Sequence, residues 1–142
     1  MTVAGTTPRA EHISKPLMLG AITASPRTAR VAARSLLAEW GLTKLAESVE
    51  LVVGELVTNA VCASMEHEMP YSVGFRISAS GSTVLIEVWD DDPRVPVMQE
   101  LVEADSENGR GLLLVASTST RWGWKNLRRG KVVWAEVRND ES

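Results

Sequence analysis

The sequence predicts an α/β protein of the α+β class, a two-layer sandwich whose mixed, mostly antiparallel sheet is covered by helices on one face. Two segments near the N-terminus carry apolar residues at helical spacing, and two pairs of short alternating segments resemble hairpins. Strands that follow strands favour antiparallel pairing over alternating βαβ units. A chain of 142 residues with 44% hydrophobic residues suffices for one core of this kind.

The N-terminal region divides into a leader and the start of the domain. Residues 1–14 are small and polar without apolar periodicity, so we expect a flexible leader there and a single domain over residues 15–142. The apolar, roughly alternating segment 15–24 predicts a short strand. Ser25 and Pro26 then resemble a helix start, with serine as the N-cap and proline in the first turn.

Two helices are expected next. Apolar residues recur at three- and four-residue intervals from Ala29 to Trp40, and Gly41 stands at the position of a C-terminal cap. Thr43 is expected to cap a second helix, the most apolar of the chain, which ends near Ser64.

The second half of the chain is predicted to be mainly strand. Residues 72–80 and 83–90 form a hairpin around the turn at Gly81, and residues 121–125 and 131–138 form a terminal pair of strands. Between the hairpins, Gly109 opens a third apolar helix. The predicted order is therefore β-α-α-β-β-loop-α-β-β.

Composition excludes several classes of protein. With 15 Lys plus Arg against 18 Asp plus Glu, the chain lacks the basic surplus of nucleic-acid binders, so we expect no direct nucleic-acid partner. Cys62 is the only cysteine, which excludes an intrachain disulfide and a zinc site of several thiolates. The start carries no apolar signal region, and no segment approaches the ~18 uninterrupted apolar residues of a membrane span. We therefore expect a cytoplasmic protein without a membrane partner.

Glu55 and Asn59 form the first candidate site. They lie four residues apart in a helix otherwise made mainly of Val, Leu and Ala, so they share a helix face. Such a pair either forms a solvated stripe or turns at least one polar group inward.

Asp90 is the second candidate. It has the same parity as Val84, Ile86 and Val88, so its carboxylate extends the apolar face of the strand and requires a donor. An amino group of a ligand is one such donor. The alternative is an aspartate that starts the turn after the strand.

Gly109, Arg110 and Gly111 form the third candidate, directly before an apolar segment. Glycines allow close backbone approach, and a helix N-terminus offers N–H groups to a phosphate. A plain glycine turn gives the same pattern.

Three sequence segments in this order resemble the N, G1 and G2 boxes of the histidine-kinase-like (GHKL) ATPase superfamily. They are ELVTNA at residues 55–60, VWDDDPRVP at 88–96 and GRGLLLV at 109–115. The resemblance extends over residues 25–137 and is strongest to the small single-domain anti-sigma-factor serine kinases of actinobacteria. It implies the Bergerat ATP-binding fold.

The resemblance also implies roles for the candidate residues. Glu55 matches the N-box glutamate, which acts as general base or orients the attacking group. Asn59 matches the residue that coordinates Mg²⁺ and belongs to the ATP site. Asp90 matches the aspartate that accepts a hydrogen bond from the adenine amino group. Gly109 and Gly111 match the phosphate-contacting glycines, and Arg110 is a candidate counter-charge for the phosphates. The implied cofactors are ATP and Mg²⁺.

Two functions remain open at this stage. The resemblance implies an anti-sigma factor that regulates transcription as a serine/threonine protein kinase of a STAS-domain anti-anti-sigma partner. The alternative is a nucleotide-binding module that holds a sigma factor or another regulator without phosphoryl transfer. A homodimer is a further possible assembly.

The tryptophans of the strands raise a separate question. Trp89 has the parity opposite to Asp90, Trp122 and Trp124 share one face, and Trp134 lies in the last strand. These indoles either pack within the sheet or form an exposed patch for self-association or partner docking.

Overall fold

The fold is a six-stranded sheet with two helices on one face, in a computed structural model that describes residues 12–67, 71–92 and 115–138. The strand order is β1-β3-β4-β6-β5, and β2 pairs with β3 beside β1. Every pairing between these strands is antiparallel. The structure therefore confirms the predicted fold class.

The elements follow the predicted order. The strands are β1 (His12–Ile13), β2 (Leu17–Leu19), β3 (Val73–Ser80), β4 (Thr83–Asp90), β5 (Arg121–Asn126) and β6 (Lys131–Arg138). The helices are α1 (Ser25–Glu39) and α2 (Ala46–Met65), with a 3₁₀ turn over Thr43–Leu45 before α2. Residues 115–118 are also helical, within the range predicted for the third helix, and the start of that helix lies outside the described residues.

The core lies between α2 and the sheet. Alternate side chains of β3, β4 and β6 point to the covered face, while α2 contacts these three strands and α1 packs along α2. Nearly all of these side chains are fully buried: Val73, Phe75, Ile77, Ala79, Val84, Ile86, Val88, Val133, Ala135 and Val137 from the strands, Ala29, Ala33 and Leu37 from α1, and Val49, Val52, Val53, Leu56, Val57 and Ala60 from α2.

The ends of α1 show one correct and one wrong prediction. Gly41 has φ +74°, and the N–H groups of Gly41 and Leu42 donate to the carbonyls of Ala38 and Leu37. This is the Schellman pattern in which glycine removes the strain of a left-handed residue. Ser25, however, is the first helical residue rather than the N-cap, because its hydroxyl donates to the carbonyl of Gly20 at 2.6 Å.

The start of the second helix also differs from the prediction. Thr43 opens the 3₁₀ turn, and the N-cap position of α2 is Leu45, which makes no side-chain capping bond. The turn supplies a backbone route into α2, so a capping hydroxyl is not used.

The N-terminal edge of the sheet includes residues that the sequence assigned to the leader. His12 and Ile13 pair with Ala79 and Ser78 of β3, and the N–H of Ser14 donates to the carbonyl of Ile77. The division at residue 14 therefore does not coincide with the start of the sheet. Residues 1–11 lie outside the described residues.

The open face of the sheet carries charge pairs and two of the indoles. Arg76 bonds Glu87 across β3 and β4, and its guanidinium lies 5.2 Å from the Trp89 ring centre. Arg121 and Glu136 form the same kind of pair between β5 and β6. Trp134 lies on this face over Gly123.

Trp122 and Trp124 lie on the opposite face, because they stand opposite Ala135 and Val133. Trp122 packs against the core, whereas Trp124 is 42% exposed. The indoles therefore do not form one patch: two lie on each face of the sheet. Packing within the sheet therefore accounts for three of the four indoles, which are half-buried, and Trp124 alone among these four is exposed.

The segment Thr43–Met65 is long and apolar enough to cross a membrane, with a mean hydropathy of 1.3, and half of its most apolar stretch is buried inside the protein. The core helix of a soluble protein has the same length and composition. Among the described residues no other helix is as long and as apolar.

Candidate functional site

Asp90 ends β4 on the covered face, as its parity predicted. Its side chain is only 2% exposed, and Lys131 of β6 stands directly opposite it in the strand register. Lys131 is buried as well, with its side chain 6% exposed. The apolar face of the sheet thus ends in a buried pair of opposite charges.

The hydrogen bonds of Asp90 concentrate on one of its two oxygens. The Lys131 ammonium donates to Oδ1 at 2.9 Å, and the backbone N–H of Asp92 donates to the same atom at 2.9 Å. No described residue donates to Oδ2. The protein therefore supplies the donors that the sequence analysis required for Oδ1, and among the described residues none occupies Oδ2.

The protonation of Asp90 depends on opposing effects. Burial raises the pKa of the Asp90 carboxyl above its usual range, while the hydrogen bond and charge of Lys131 and the N–H of Asp92 lower it. The negative charge of Asp92 raises the pKa further. Burial is the largest effect, and Lys131 supplies the largest of the contacts that favour the ionised form.

The turn after Asp90 is held from several sides. The Lys131 ammonium also donates to the carbonyl of Asp92 at 2.9 Å, and the Asp92 carboxylate lies 3.5 Å from His67 Nε2, just beyond the end of α2. Gly130 has φ +78° and packs against the backbone of Asp90 and Asp91. A side chain at Gly130 would overlap that backbone, so glycine is required there for space as well as for conformation.

Glu55 and Asn59 lie on one side of α2. Both are half-buried, beside the fully buried Leu56 and Ala60. Gly54 marks the side of α2 that faces α1, because a side chain there would meet Arg30. At about 100° per residue, Asn59 lies about 140° around the helix from Gly54, away from α1. Neither side chain is fully exposed or fully buried, so both alternatives stay predictions.

Asn59 carries an unusual polar atom. Its side-chain Nδ2 is buried and has no hydrogen-bond partner within the described residues. A buried amide without a partner is costly in a stable core. The two amide positions of asparagine are distinguished only by their hydrogen bonds, so either the nitrogen or the oxygen can face an incoming group.

This amide fits a site for Mg²⁺ bound together with phosphates. Mg²⁺ takes oxygen ligands and is usually held by one or two protein groups, waters and substrate phosphates. Within residues 12–67, 71–92 and 115–138, no three His, Cys, Asp or Glu side chains cluster as an all-protein metal site would require. A single amide oxygen from the helix is a sufficient protein ligand for a Mg²⁺ ion whose other ligands are phosphates and waters.

The third candidate cannot be placed. Gly109, Arg110 and Gly111 lie outside the described residues, and so does the segment 93–108 before them. The structure brings Asp90 and α2 to the same face of the sheet. The phosphate contacts predicted for Gly109, Arg110 and Gly111 stay a prediction.

The sequence reasoning did not identify Lys131, Asp92, His67 or Gly130 as part of this site. Lys131 had a signal that could have been used, because it shares the parity of Val133, Ala135 and Val137 and so occupies an apolar face. A lysine in that position requires a buried partner. Its partner became evident only from the pairing of β4 with β6.

A helix-covered antiparallel sheet, with a buried acceptor on a strand end and a polar pair on the covering helix, agrees with the ATPase-type domain that the three boxes predicted. A family model described as the histidine kinase-like ATPase domain matches residues 21–137. The chain therefore belongs to the histidine kinase-like ATPase domain family, as the three boxes indicated.

Comparison with solved structures gives a match of the same fold. A chain in the crystal structure of the SiaB–SiaC complex from Pseudomonas aeruginosa superposes with a TM-score of 0.62 at 18% identity, over 89% of both chains. At that identity the likeness establishes the fold. Comparison with curated protein sequences gives no match.

Proposed function

We propose that this protein is a cytoplasmic, ATP-binding regulator of transcription that acts as an anti-sigma factor and phosphorylates a serine or threonine of a STAS-domain anti-anti-sigma partner. The observation that carries the nucleotide part is the buried Asp90, whose Oδ2 accepts no bond from the described residues while Oδ1 is saturated. An exocyclic amino group is the donor that such an acceptor fits.

Asp90 and α2 supply the two ends of the proposed ATP site. Asp90 would accept a hydrogen bond from the adenine amino group through Oδ2, and Asn59 would hold Mg²⁺ through its amide oxygen. Gly109, Arg110 and Gly111 would contact the phosphates. Mg²⁺ offsets the phosphate charge and thereby favours phosphoryl transfer.

Glu55 lies one helical turn before Asn59, on the same side of α2. It accepts the proton of the attacking hydroxyl as the serine oxygen bonds to the γ-phosphorus. The bond from that phosphorus to the β–γ bridging oxygen breaks, and ADP leaves. A general base of this kind contributes roughly 10²- to 10⁴-fold to a rate.

A partner-binding role without transfer is the second candidate. It is favoured by the solved structure of the same fold, which is a complex of two proteins, SiaB and SiaC. In this case nucleotide binding controls the affinity for a sigma factor or another regulator. A homodimer is a possible assembly.

Isothermal titration with ATP and Mg²⁺ tests the nucleotide site. We expect saturable binding by the wild type, at least roughly tenfold weaker binding by Asn59→Ala and Asp90→Asn because each loses a buried contact, and no change in Ser82→Ala, at the far turn of the β3–β4 hairpin. Absence of binding by the wild type would contradict an ATP site.

Transfer of ³²P from γ-labelled ATP to STAS-domain proteins of the same genome separates the two candidates. Glu55→Gln should lower transfer by roughly a hundredfold or more while ATP binding persists. Glu47→Gln, exposed in the first turn of α2, is the matched control. Wild-type ATP binding without transfer to any acceptor would favour the binding module, and full transfer by Glu55→Gln would remove Glu55 from its role.

A further inference from the structure

Lys131 is buried beside the proposed base site and is not among the residues that the family boxes contain. Its ammonium donates both to Asp90 Oδ1 and to the carbonyl of Asp92, each at 2.9 Å. The two bonds bridge the end of β4 and the following turn. They fix both the position of the Asp90 carboxyl group and the oxygen that remains available.

The protonation state of Asp90 decides which purine it can bind. An ionised carboxyl group only accepts hydrogen bonds, whereas a protonated one also donates. Adenine has an amino group at position 6, which donates, and hypoxanthine has a carbonyl there, which accepts. At position 6, an ionised Asp90 therefore accepts from the amino group of a 6-aminopurine but faces a second acceptor in a 6-oxopurine, whereas a protonated Asp90 can donate to that acceptor.

We propose that Lys131 determines the base specificity of this site, because its contact with Oδ1 holds Asp90 as an ionised acceptor and directs Oδ2 to a 6-aminopurine. This inference rests on the proposed ATP site and names the residue that sets its selectivity. Lys131 acts through Asp90 and is a positioning residue.

The surrounding charges support this assignment. Burial raises the pKa of Asp90, the Asp92 charge raises it further, and Lys131 is the one cation among the described residues that contacts Asp90 directly. His67 faces Asp92, and Arg129 lies 3.6 Å from Asp91, so neither replaces the lysine. Without Lys131, the Asp92 N–H would be the one donor to this carboxyl group among the described residues.

Competitive binding of ATP and inosine triphosphate tests the proposal, because the two nucleotides differ in the group at position 6. We expect the wild type to prefer ATP by roughly tenfold or more, and Lys131→Met to lose most of that preference at neutral pH. Lys125→Met, an exposed lysine of β5, is the matched control and should keep the preference.

The outcomes distinguish the inference from the function on which it rests. If the wild type binds neither nucleotide, the ATP site and this inference are both wrong. If the wild type prefers ATP and Lys131→Met keeps the same ratio of affinities, only the role of Lys131 is wrong.

A measurement on the wild type covers the case in which Lys131→Met does not fold. The ratio of ATP to inosine triphosphate affinity should fall as the pH is lowered through the titration of Asp90, followed by the NMR signal of its carboxyl carbon. Protonation of the phosphates affects both nucleotides alike and cancels in the ratio. The fall should coincide with the titration of Asp90, and a ratio independent of pH while Asp90 titrates would overturn the proposal.

Discussion

The two faces of the sheet both carry pairs of opposite charge between neighbouring strands, in different surroundings. On the covered face Lys131 and Asp90 are 6% and 2% exposed. On the open face the side chains of Arg76 and Glu87 are 30% and 18% exposed, and their closest nitrogen and oxygen lie 2.7 Å apart. The nitrogen–oxygen distances are similar, so the surroundings are the main difference.

This difference in burial determines how much each charge pair contributes to stability. A partly solvated pair gains little because water serves each partner almost as well, and such pairs contribute about 0–1 kcal/mol. In a buried pair each charge depends on the other, and removal of one partner leaves a charge in a medium that disfavours it. On the covered face, the ionised form of each partner therefore depends on the presence of the other partner.

Replacement of Lys131 should change the free energy of unfolding more than any other substitution considered for the two faces. Lys131→Met should lower the free energy of unfolding by about 3–5 kcal/mol at pH 7, because Asp90 is left buried without its cation. Lys125→Met is the control and should lie within about 0.5 kcal/mol of the wild type. Urea unfolding measures both, and equal stabilities would mean that the buried pair contributes nothing.

The loss in Lys131→Met should also depend on pH. The folded-state pKa of Asp90 is already above its unfolded value, and without Lys131 it rises further. A raised pKa favours the folded state below the unfolded pKa, and this contribution is lost as the pH rises through the folded pKa. The deficit of the variant should therefore be smaller near pH 4 than at pH 7.

Gly130 and Gly81 offer a second, smaller test. Both have positive φ. A Cβ atom at Gly130 would overlap the Asp90 backbone, whereas a Cβ atom at Gly81 would have no other residue's atom within 4 Å apart from its chain neighbours. Gly130→Ala should lower the free energy of unfolding by about 2–4 kcal/mol through strain and overlap, and Gly81→Ala by about 1 kcal/mol through strain alone. Thermal unfolding of the two variants that shows equal losses would contradict the close packing at Gly130.

The open face should give the smallest effect. A double-mutant cycle of Arg76→Met and Glu87→Gln should yield a coupling energy of no more than about 1 kcal/mol, because both side chains are partly solvated. High salt should reduce it further. A coupling as large as that between Lys131 and Asp90 would break the distinction between the two faces.

Local patterns sufficed for most of the fold. The alternation in β3, β4 and β6 placed Phe75, Ile86 and Ala135 on one face, and the glycine at 81 indicated the tight turn. These signals depend on neighbours in sequence, so they can be recognised without knowledge of the tertiary structure. The wrong role of Ser25 came from a competing acceptor, the carbonyl of Gly20, which no capping rule includes.

The candidate site was only partly predictable. The parity of Asp90 placed its carboxylate on the covered face correctly, but its partner Lys131 lies far along the chain. Which two strands become neighbours is a property of topology, and the spacing of residues within one strand does not contain it. The faces of Trp122 and Trp124 were unassigned for the same reason, since they follow from the register of β5 with β6.

The separation of Asp90 from Lys131, 41 positions along the chain, also bears on the order in which the protein matures during synthesis. Helix α2 and the hairpin of β3 and β4 lie within the first 90 residues and can associate while the ribosome still holds the remainder. The carboxyl group then lacks its ammonium until residue 131 has left the exit tunnel and β6 has paired with β4. The fully charged base pocket therefore forms only when β6 pairs with β4, and the same step adds Val133, Ala135 and Val137 to the core.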